Sequence, residues 1–312
     1  MSCALPKNIT LFGGTGFLGR VVAQALARAG CCLRIPTRRP DAAESLQTIA
    51  PPGRITFVPA LFRTDAEAER TVGSADAIVN MIGLARENRA VSFQFVHVEL
   101  AARIARLAQE MNVATLLHFS SLEADVKAPS RYGRSKALGE EAVRAFFPTA
   151  VIFRPSQIFG PNDPFFTKIA LLARLLPFVP LLGNPNARRQ VVYAGDVAEA
   201  VKRALASPAT HGRVFELGGP DIWTRRAMVN ATLRLGNETR RFLPLPMALA
   251  RPLAGLGEAF GLDLLPTRDQ LHRTQAPSVV TALPENTLTG LGITPAGLDA
   301  LLPGLVRGFR TA

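Results

Sequence analysis

At 312 residues, with 48% hydrophobic and 19% charged side chains, the sequence is that of a globular chain and not of a disordered segment. Three cysteines (Cys3, Cys31 and Cys32) without a Cys-x-x-Cys pair, and four histidines spread along the chain, argue against a disulfide framework or a zinc site. A formal net charge of +12 favours anionic partners, but the basic residues are scattered, so no nucleic-acid partner is expected.

In chain order, residues 9–12 form a short apolar run that ends in Gly13-Gly14-Thr15-Gly16-Phe17-Leu18-Gly19. Residues 17–29 follow with helical apolar spacing, Gly30 reads as their C-cap, and 31–37 read as a second strand. This is the opening of a βαβ unit. Further strands are expected at 55–58, 77–82 and 115–120, with helices at about 64–72 and 93–110 between them. A helix at 136–146 and a strand at 150–153 come next. The strands are continuously apolar, which suits a parallel sheet covered on both faces.

Beyond Phe159 the pattern loosens. The apolar stretch 169–182 contains Pro177 and Pro180, and short strands at 191–193 and 214–217 flank a helix at 196–206. Stretches 247–265, 271–283 and 290–309 are Leu-rich, poor in charge and framed by Arg251, Arg268, Arg273, Arg307 and Arg310. Helices on a smaller domain are the simpler reading, and an arginine-edged face for a protein or membrane surface is the functional one. The expected class is α/β: a Rossmann-type doubly wound parallel sheet over residues 7–155, with a smaller, partly interleaved α/β region over 156–312.

A pyrophosphate requires close backbone approach, a turn of unusual dihedrals and a helix start that aims its free amides at the charge. Gly14-x-Gly16-x-x-Gly19, with Gly13 before it, supplies these between a strand and a helix, and Thr15, Phe17 and Leu18 shape the loop. The second strand ends in Thr37-Arg38-Arg39, where an NAD site expects an acid for the ribose 2′-hydroxyl. A guanidinium there suits a 2′-phosphate, so NADP(H) is expected over NAD(H). Asn80 and Gly83 after the fourth strand, and Pro155 and Ser156 after the next, fall where the nicotinamide half would pass.

Tyr132 and Lys136 lie four residues apart near a helix start and share a face. A nearby ammonium favours a tyrosine's phenolate, and the same lysine can hold the nicotinamide ribose. Ser120 or Ser121 can donate to a substrate carbonyl. His97 faces the site or serves the core.

These motifs, with Ile35-Pro36-Thr37-Arg38, Ser130-Arg131-Tyr132 and Arg154-Pro155-Ser156-Gln157-Ile158-Phe159-Gly160, make a restrictive combination. The chain resembles the NADPH-binding accessory subunits of respiratory complex I, within the atypical or extended short-chain dehydrogenase/reductases. The resemblance implies that Gly13, Gly16 and Gly19 hold the pyrophosphate and Arg38 the 2′-phosphate. Tyr132 and Lys136 would occupy the superfamily's catalytic positions. It further implies a mainly structural nucleotide, and docking beside the quinone-site region of the complex. Two departures stand out: no acid follows the third strand before Asp65, and Ser121 and Tyr132 are only eleven residues apart. The alternative is a soluble NADP-dependent reductase or epimerase-like enzyme using Tyr132 and Lys136. The short lead into the first strand points to a chain without a cleaved leader. A peripheral place on the cytoplasmic side of a bacterial inner membrane is therefore expected.

Overall fold

In the computed structural model, which describes residues 4–38, 43, 48, 50–60, 64–235, 241–245, 247–259 and 265–310, one parallel sheet of seven strands organises the chain. Its first six strands are β1 (Asn8–Phe12), β2 (Cys32–Thr37), β3 (Ile55–Pro59), β4 (Ala77–Asn80), β5 (Thr115–Phe119) and β6 (Val151–Pro155). Their spatial order is β3-β2-β1-β4-β5-β6, and strands later numbered seven to ten lie outside this sheet. The chain order reverses at β1, which pairs with β2 on one side and β4 on the other. Ligands of open α/β sheets bind at the carboxyl ends of the strands beside such a reversal. The glycine loop sits there.

The period-two alternation of the strands divides the core into two layers. Ile9 and Leu11, Ala77 and Val79, Leu117 and Phe119, and Val151 and Phe153 face one side. They pack on α1 (Phe17–Arg28) and on a later helix, α6 (Ala194–Leu205), through Val22, Leu26, Val197 and Val201. Phe12, Ile78, Leu116 and Ile152 face the other side. There α2 (Asp65–Val72), α3 (Leu100–Glu110) and α4 (Arg131–Phe146) cover them. A π-helical turn, Gln94–Glu99, leads into α3.

Helix α4 begins five residues before the expected position, because Ser130 caps it: its Oγ accepts from the Gly133 amide at 3.1 Å. Tyr132 and Lys136 therefore both lie within the first two turns. The expected apolar stretch 169–182 divides at Pro177 into α5 (Pro164–Leu175) and β8 (Phe178–Leu182). Before it runs the two-residue strand β7 (Ile158–Phe159). Strands β9 (Arg188–Arg189) and β10 (Val192–Tyr193) follow, and β10 pairs with β7.

Strand β11 (Val214–Leu217) returns to the main sheet and pairs in parallel with β6, Val214 opposite Ile152. The chain is thus interleaved, as its short late strands suggested. The remaining elements are β12 (Trp223–Thr224), α7 (Arg225–Leu235), β13 (Arg241–Leu245), α8 (Met247–Ala259), α9 (Arg268–Arg273) and α10 (Leu298–Arg310). Strand β13 pairs with β8 as a separate parallel ribbon, backed by Ile169 and Leu172 of α5 and by Val229 and Leu233 of α7. No helix among the described residues is long and apolar enough to cross a membrane.

Candidate nucleotide and catalytic site

The glycine loop is built by steric demand at three of its four glycines. Gly13 has φ of +80°, and a Cβ there would stand 2.9 Å from the Met81 backbone. A Cβ on Gly14 would meet Ile35 Cγ2 at 2.9 Å. Gly19 is the tightest, since its Cβ would fall 2.1 Å from the Gly13 carbonyl oxygen. Gly16 is different: its Cβ would meet the Gly13 oxygen at an ordinary 3.4 Å. Gly16 is also the N-cap of α1, and no side chain caps that terminus. A helix start without a side-chain cap or a first-turn acid is suited to an anion, so the loop fits a dinucleotide pyrophosphate. The Thr15 carbonyl is held by Arg20 Nε at 3.0 Å.

At the end of β2, Thr37 is buried and Arg38 is exposed. Arg39 lies outside the described residues. Asn80 is turned to structural work: its Oδ1 accepts from the Ile82 amide at 3.1 Å, and its Nδ2 meets His118 Nδ1 at 3.2 Å.

A cavity of about 580 Å³ extends from Phe17 and Leu18 past Gly83, Ser120, Ser121, Tyr132, Lys136, Pro155 and Ser156. Nine expected residues, drawn from α1, α4 and the ends of three strands, thus line one space. Lys136 Nζ is buried and donates to the Phe119 carbonyl at 3.0 Å. Burial lowers its pKa to about 8, with Glu140 opposing that shift and Arg273 adding to it. Glu140 itself is buried in a bidentate pair with Arg154, at 2.7 and 2.8 Å. Burial raises the pKa of the Tyr132 hydroxyl, with Arg273 and the Ser121 side chain acting in the opposite direction. Desolvation therefore outweighs the phenolate stabilisation expected from a neighbouring ammonium. Ser121 Oγ accepts from the Glu123 amide at 3.1 Å, whereas Ser120 Oγ is buried with no hydrogen-bond partner among the described residues.

Ser156 does not point free into the nicotinamide region. Its hydroxyl bonds to the Ser278 carbonyl at 3.0 Å and so ties the late chain to the site. His97 belongs to the support. Its Nε2 accepts from the Leu84 amide at 3.0 Å and its Nδ1 meets Ser135 Oγ at 2.8 Å, while burial depresses its pKa to about 2. A neutral ring with both nitrogens engaged fixes the loop after β4 against α4.

Several lining residues carry no local sequence signal. Arg273, from α9, lays its guanidinium 3.7 Å from the centre of the Tyr132 ring and donates through Nε to Glu123 at 2.6 Å. Arg189 and Arg225 line the same space, and Asp163, the N-cap of α5, leaves Oδ2 buried with no hydrogen-bond partner among the described residues. Burial lifts the Asp163 pKa to about 6. These groups come from far along the chain, and of them the sequence singles out only Arg273, as one of the arginines framing the late apolar stretches.

The profile of the family described as NAD dependent epimerase/dehydratase matches residues 9–218. The mouse mitochondrial NADH dehydrogenase [ubiquinone] 1 alpha subcomplex subunit 9 is 33% identical over 97% of this chain and 80% of its own length. The Neurospora crassa mitochondrial NADH-ubiquinone oxidoreductase 40 kDa subunit is 31% identical over 97% and 79%. The chain is a homologue of these complex I subunits within the NAD dependent epimerase/dehydratase family. A relative with a different name, a ceramide reductase of Caulobacter vibrioides, is 30% identical over 86% of each chain. The Thermus thermophilus UDP-glucose 4-epimerase, solved with NAD, superposes with a TM-score of 0.72 at 19% identity, covering 98% of this chain and 99% of that one. That likeness concerns the fold.

Membership of this family indicates that the chain has a nicotinamide-nucleotide site. The expected place on the cytoplasmic side of a bacterial inner membrane is overturned, because the complex I relatives that match most of the chain are mitochondrial proteins. That expectation leaned on the short lead into β1, a feature that carries no information about compartment.

Proposed function

We propose that this epimerase/dehydratase-family chain is an NADP(H)-binding accessory subunit of respiratory complex I, docked near the quinone-site region, in which the nucleotide is mainly a structural brace. The observation that carries the proposal is the homology to complex I subunits over nearly the whole chain. The site adds support. Its tyrosine is held protonated by burial and covered on its face by Arg273, an arrangement that stabilises a fixed pocket more than it prepares a base. A ligand that binds only the folded state stabilises that state by mass action, so a nucleotide can serve assembly without turnover. NADP(H) is favoured over NAD(H) because Arg38, not an acid, follows the last residue of β2.

Fractionation of native membranes in mild detergent tests the assembly role. Co-migration of the chain with the large respiratory complex is expected. A pool that is wholly unattached would falsify it.

A second reading has its own support in the intact Ser121, Tyr132 and Lys136 and in the ceramide reductase relative. Bound reduced nucleotide supplies a hydride. In a reductase the Tyr132 hydroxyl would donate its proton to the substrate carbonyl oxygen, Ser121 would orient that oxygen, and Lys136 would hold the ribose. Under this reading Tyr132→Phe abolishes turnover of a carbonyl substrate and leaves nucleotide affinity unchanged.

A further inference from the structure

The arginines that frame the late apolar stretches take different places in the fold. Arg273 covers the Tyr132 ring, whereas Arg251 and Arg268 line a separate cavity of about 290 Å³ between α8 and α9. Its other walls are Met247 and Pro252 from α8 and Leu271 and His272 from α9. Helical spacing explains this lining. Met247 and Arg251 are four residues apart on α8, and Arg268 and His272 are four apart on α9. Beneath them Ala250, Ala254 and Leu271 are buried together, with Met247 packed on that small core.

The charges of this cavity are unbalanced. No acid among the described residues lines it. The Arg251 guanidinium and the His272 ring make no hydrogen bond or ion pair with another described residue. Arg268 is held mainly by its backbone: its amide donates to Glu258 Oε1 at 2.7 Å, and its Nε lies 3.9 Å from Oε2. Its Nη2 rests against α8 at Gly255, where a Cβ would stand only 2.7 Å away. Glu258 and Asp269 line the neighbouring space, which shares only Arg268 and His272 with this one.

Two guanidinium groups and an imidazole beside methionine, proline and leucine select a ligand with two parts. Guanidinium donors match the oxygens of a phosphate, and the apolar walls match a hydrocarbon tail. A bare anion leaves those walls wet, and a neutral amphiphile leaves the arginines without a partner.

We infer that the cavity between α8 and α9 binds a phosphate ester that carries an apolar tail. The phosphate sits among Arg251, Arg268 and His272, and the tail lies on Met247, Pro252 and Leu271. The cavity shares no lining residue with the one beside Tyr132, and the inference does not depend on the complex I reading.

The test is isothermal titration of the purified full chain, with and without excess NADPH. The probes are dihexanoyl phosphatidate below its micellar concentration, glycerol 3-phosphate and dihexanoyl phosphatidylcholine. Phosphatidate should bind at least about tenfold more tightly than either of the others, because only it offers both parts. Arg251→Gln should weaken it at least about tenfold with the melting temperature unchanged. Arg268→Gln, which keeps the backbone bond to Glu258, should do the same, and Arg28→Gln, at the exposed end of α1, should change nothing. Glycerol 3-phosphate binding as tightly would assign the cavity to a soluble phosphate ester and overturn the inference. Phosphatidylcholine binding as tightly overturns it too, as does phosphatidate that NADPH displaces or that both arginine variants bind like the parent.

Discussion

Arg273 lies over Tyr132, its guanidinium carbon 3.7 Å from the ring centre, and the same group is anchored by Glu123 at 2.6 Å. Phe93 and His97 meet the ring at near-perpendicular angles, so the tyrosine is enclosed by two segments distant from it in the chain. A desolvated cation–π contact contributes roughly 2 kcal/mol. Arg273→Ala removes it and leaves Glu123 without its ion-pair partner, so a loss of about 2–3 kcal/mol is expected in urea unfolding. Arg273→Lys keeps the charge but not the flat fork, and should recover less than half of that loss. The positive charge also opposes the raised tyrosine pKa. The phenol of Arg273→Ala should therefore titrate higher than that of the parent in ultraviolet difference spectra, and an unshifted titration would remove Arg273 from the tyrosine's electrostatics.

The four loop glycines separate into two kinds, and substitution by alanine should show it. Gly19→Ala places a methyl 2.1 Å from the Gly13 carbonyl oxygen, backbone that has nowhere to move while α1 stays against the sheet. Destabilisation of about 3 kcal/mol or more and loss of nucleotide binding are expected together. Gly16→Ala meets its neighbour at 3.4 Å and has φ of −74°, so the apo protein should melt within a degree or two of the parent. Its methyl stands at the uncapped helix start, in the path of a pyrophosphate. Affinity should fall at least about tenfold with stability unchanged. A Gly16→Ala protein that binds nucleotide normally would show that the phosphates take another route.

Much of this site was legible because its parts are local. The glycine loop, the apolar strand before it and the helix after it are consecutive. Tyr132 and Lys136 are one helical spacing apart, and the alternation in β1 marks both core layers within five residues. The sequence also shows Val214–Leu217 as a strand, although only the pairing with β6 reveals that it rejoins the main sheet. What stayed hidden comes from long-range contact. Glu123 and Arg273 are 150 residues apart, and no periodicity relates them. Ser156 lines the cavity, but nothing local in the sequence shows that its hydroxyl is held by Ser278. The direction of the Tyr132 pKa is hidden for the same reason: a neighbouring lysine is visible in the sequence, while the burial that raises the value is a property of the fold.

Cofactor choice is expected to turn on Arg38, which is exposed at the carboxyl end of β2. A guanidinium there makes charge-assisted bonds to a 2′-phosphate and nothing comparable to a 2′-hydroxyl. Arg38→Glu should weaken NADPH by at least about tenfold, or about 1.4 kcal/mol, and leave NADH as good or better. Fluorescence titration of both nucleotides against parent and variant measures this. Parallel losses for the two would mean that Arg38 acts on the loop and not on the phosphate.

Lys136 gives the site a pH signature. In the unfolded chain it holds its proton to about 10.5, and in the fold burial brings that value down to about 8. Between the two, the unfolded state binds more protons than the folded one, so stability rises with pH across that window. Below about pH 8 the buried ammonium is charged in both states, and its desolvation cost is fully present. Lys136→Met removes the titration and should be more stable than the parent at neutral pH. The parent should then gain on the variant by about 3 kcal/mol as pH rises from 7 towards 10, before the raised Tyr132 begins to act in the opposite direction. Urea unfolding of both proteins at several pH values reads the difference directly. Curves that stay parallel would show that Lys136 keeps its ordinary pKa in the fold, leaving the bond to the Phe119 carbonyl as compensation enough for its burial.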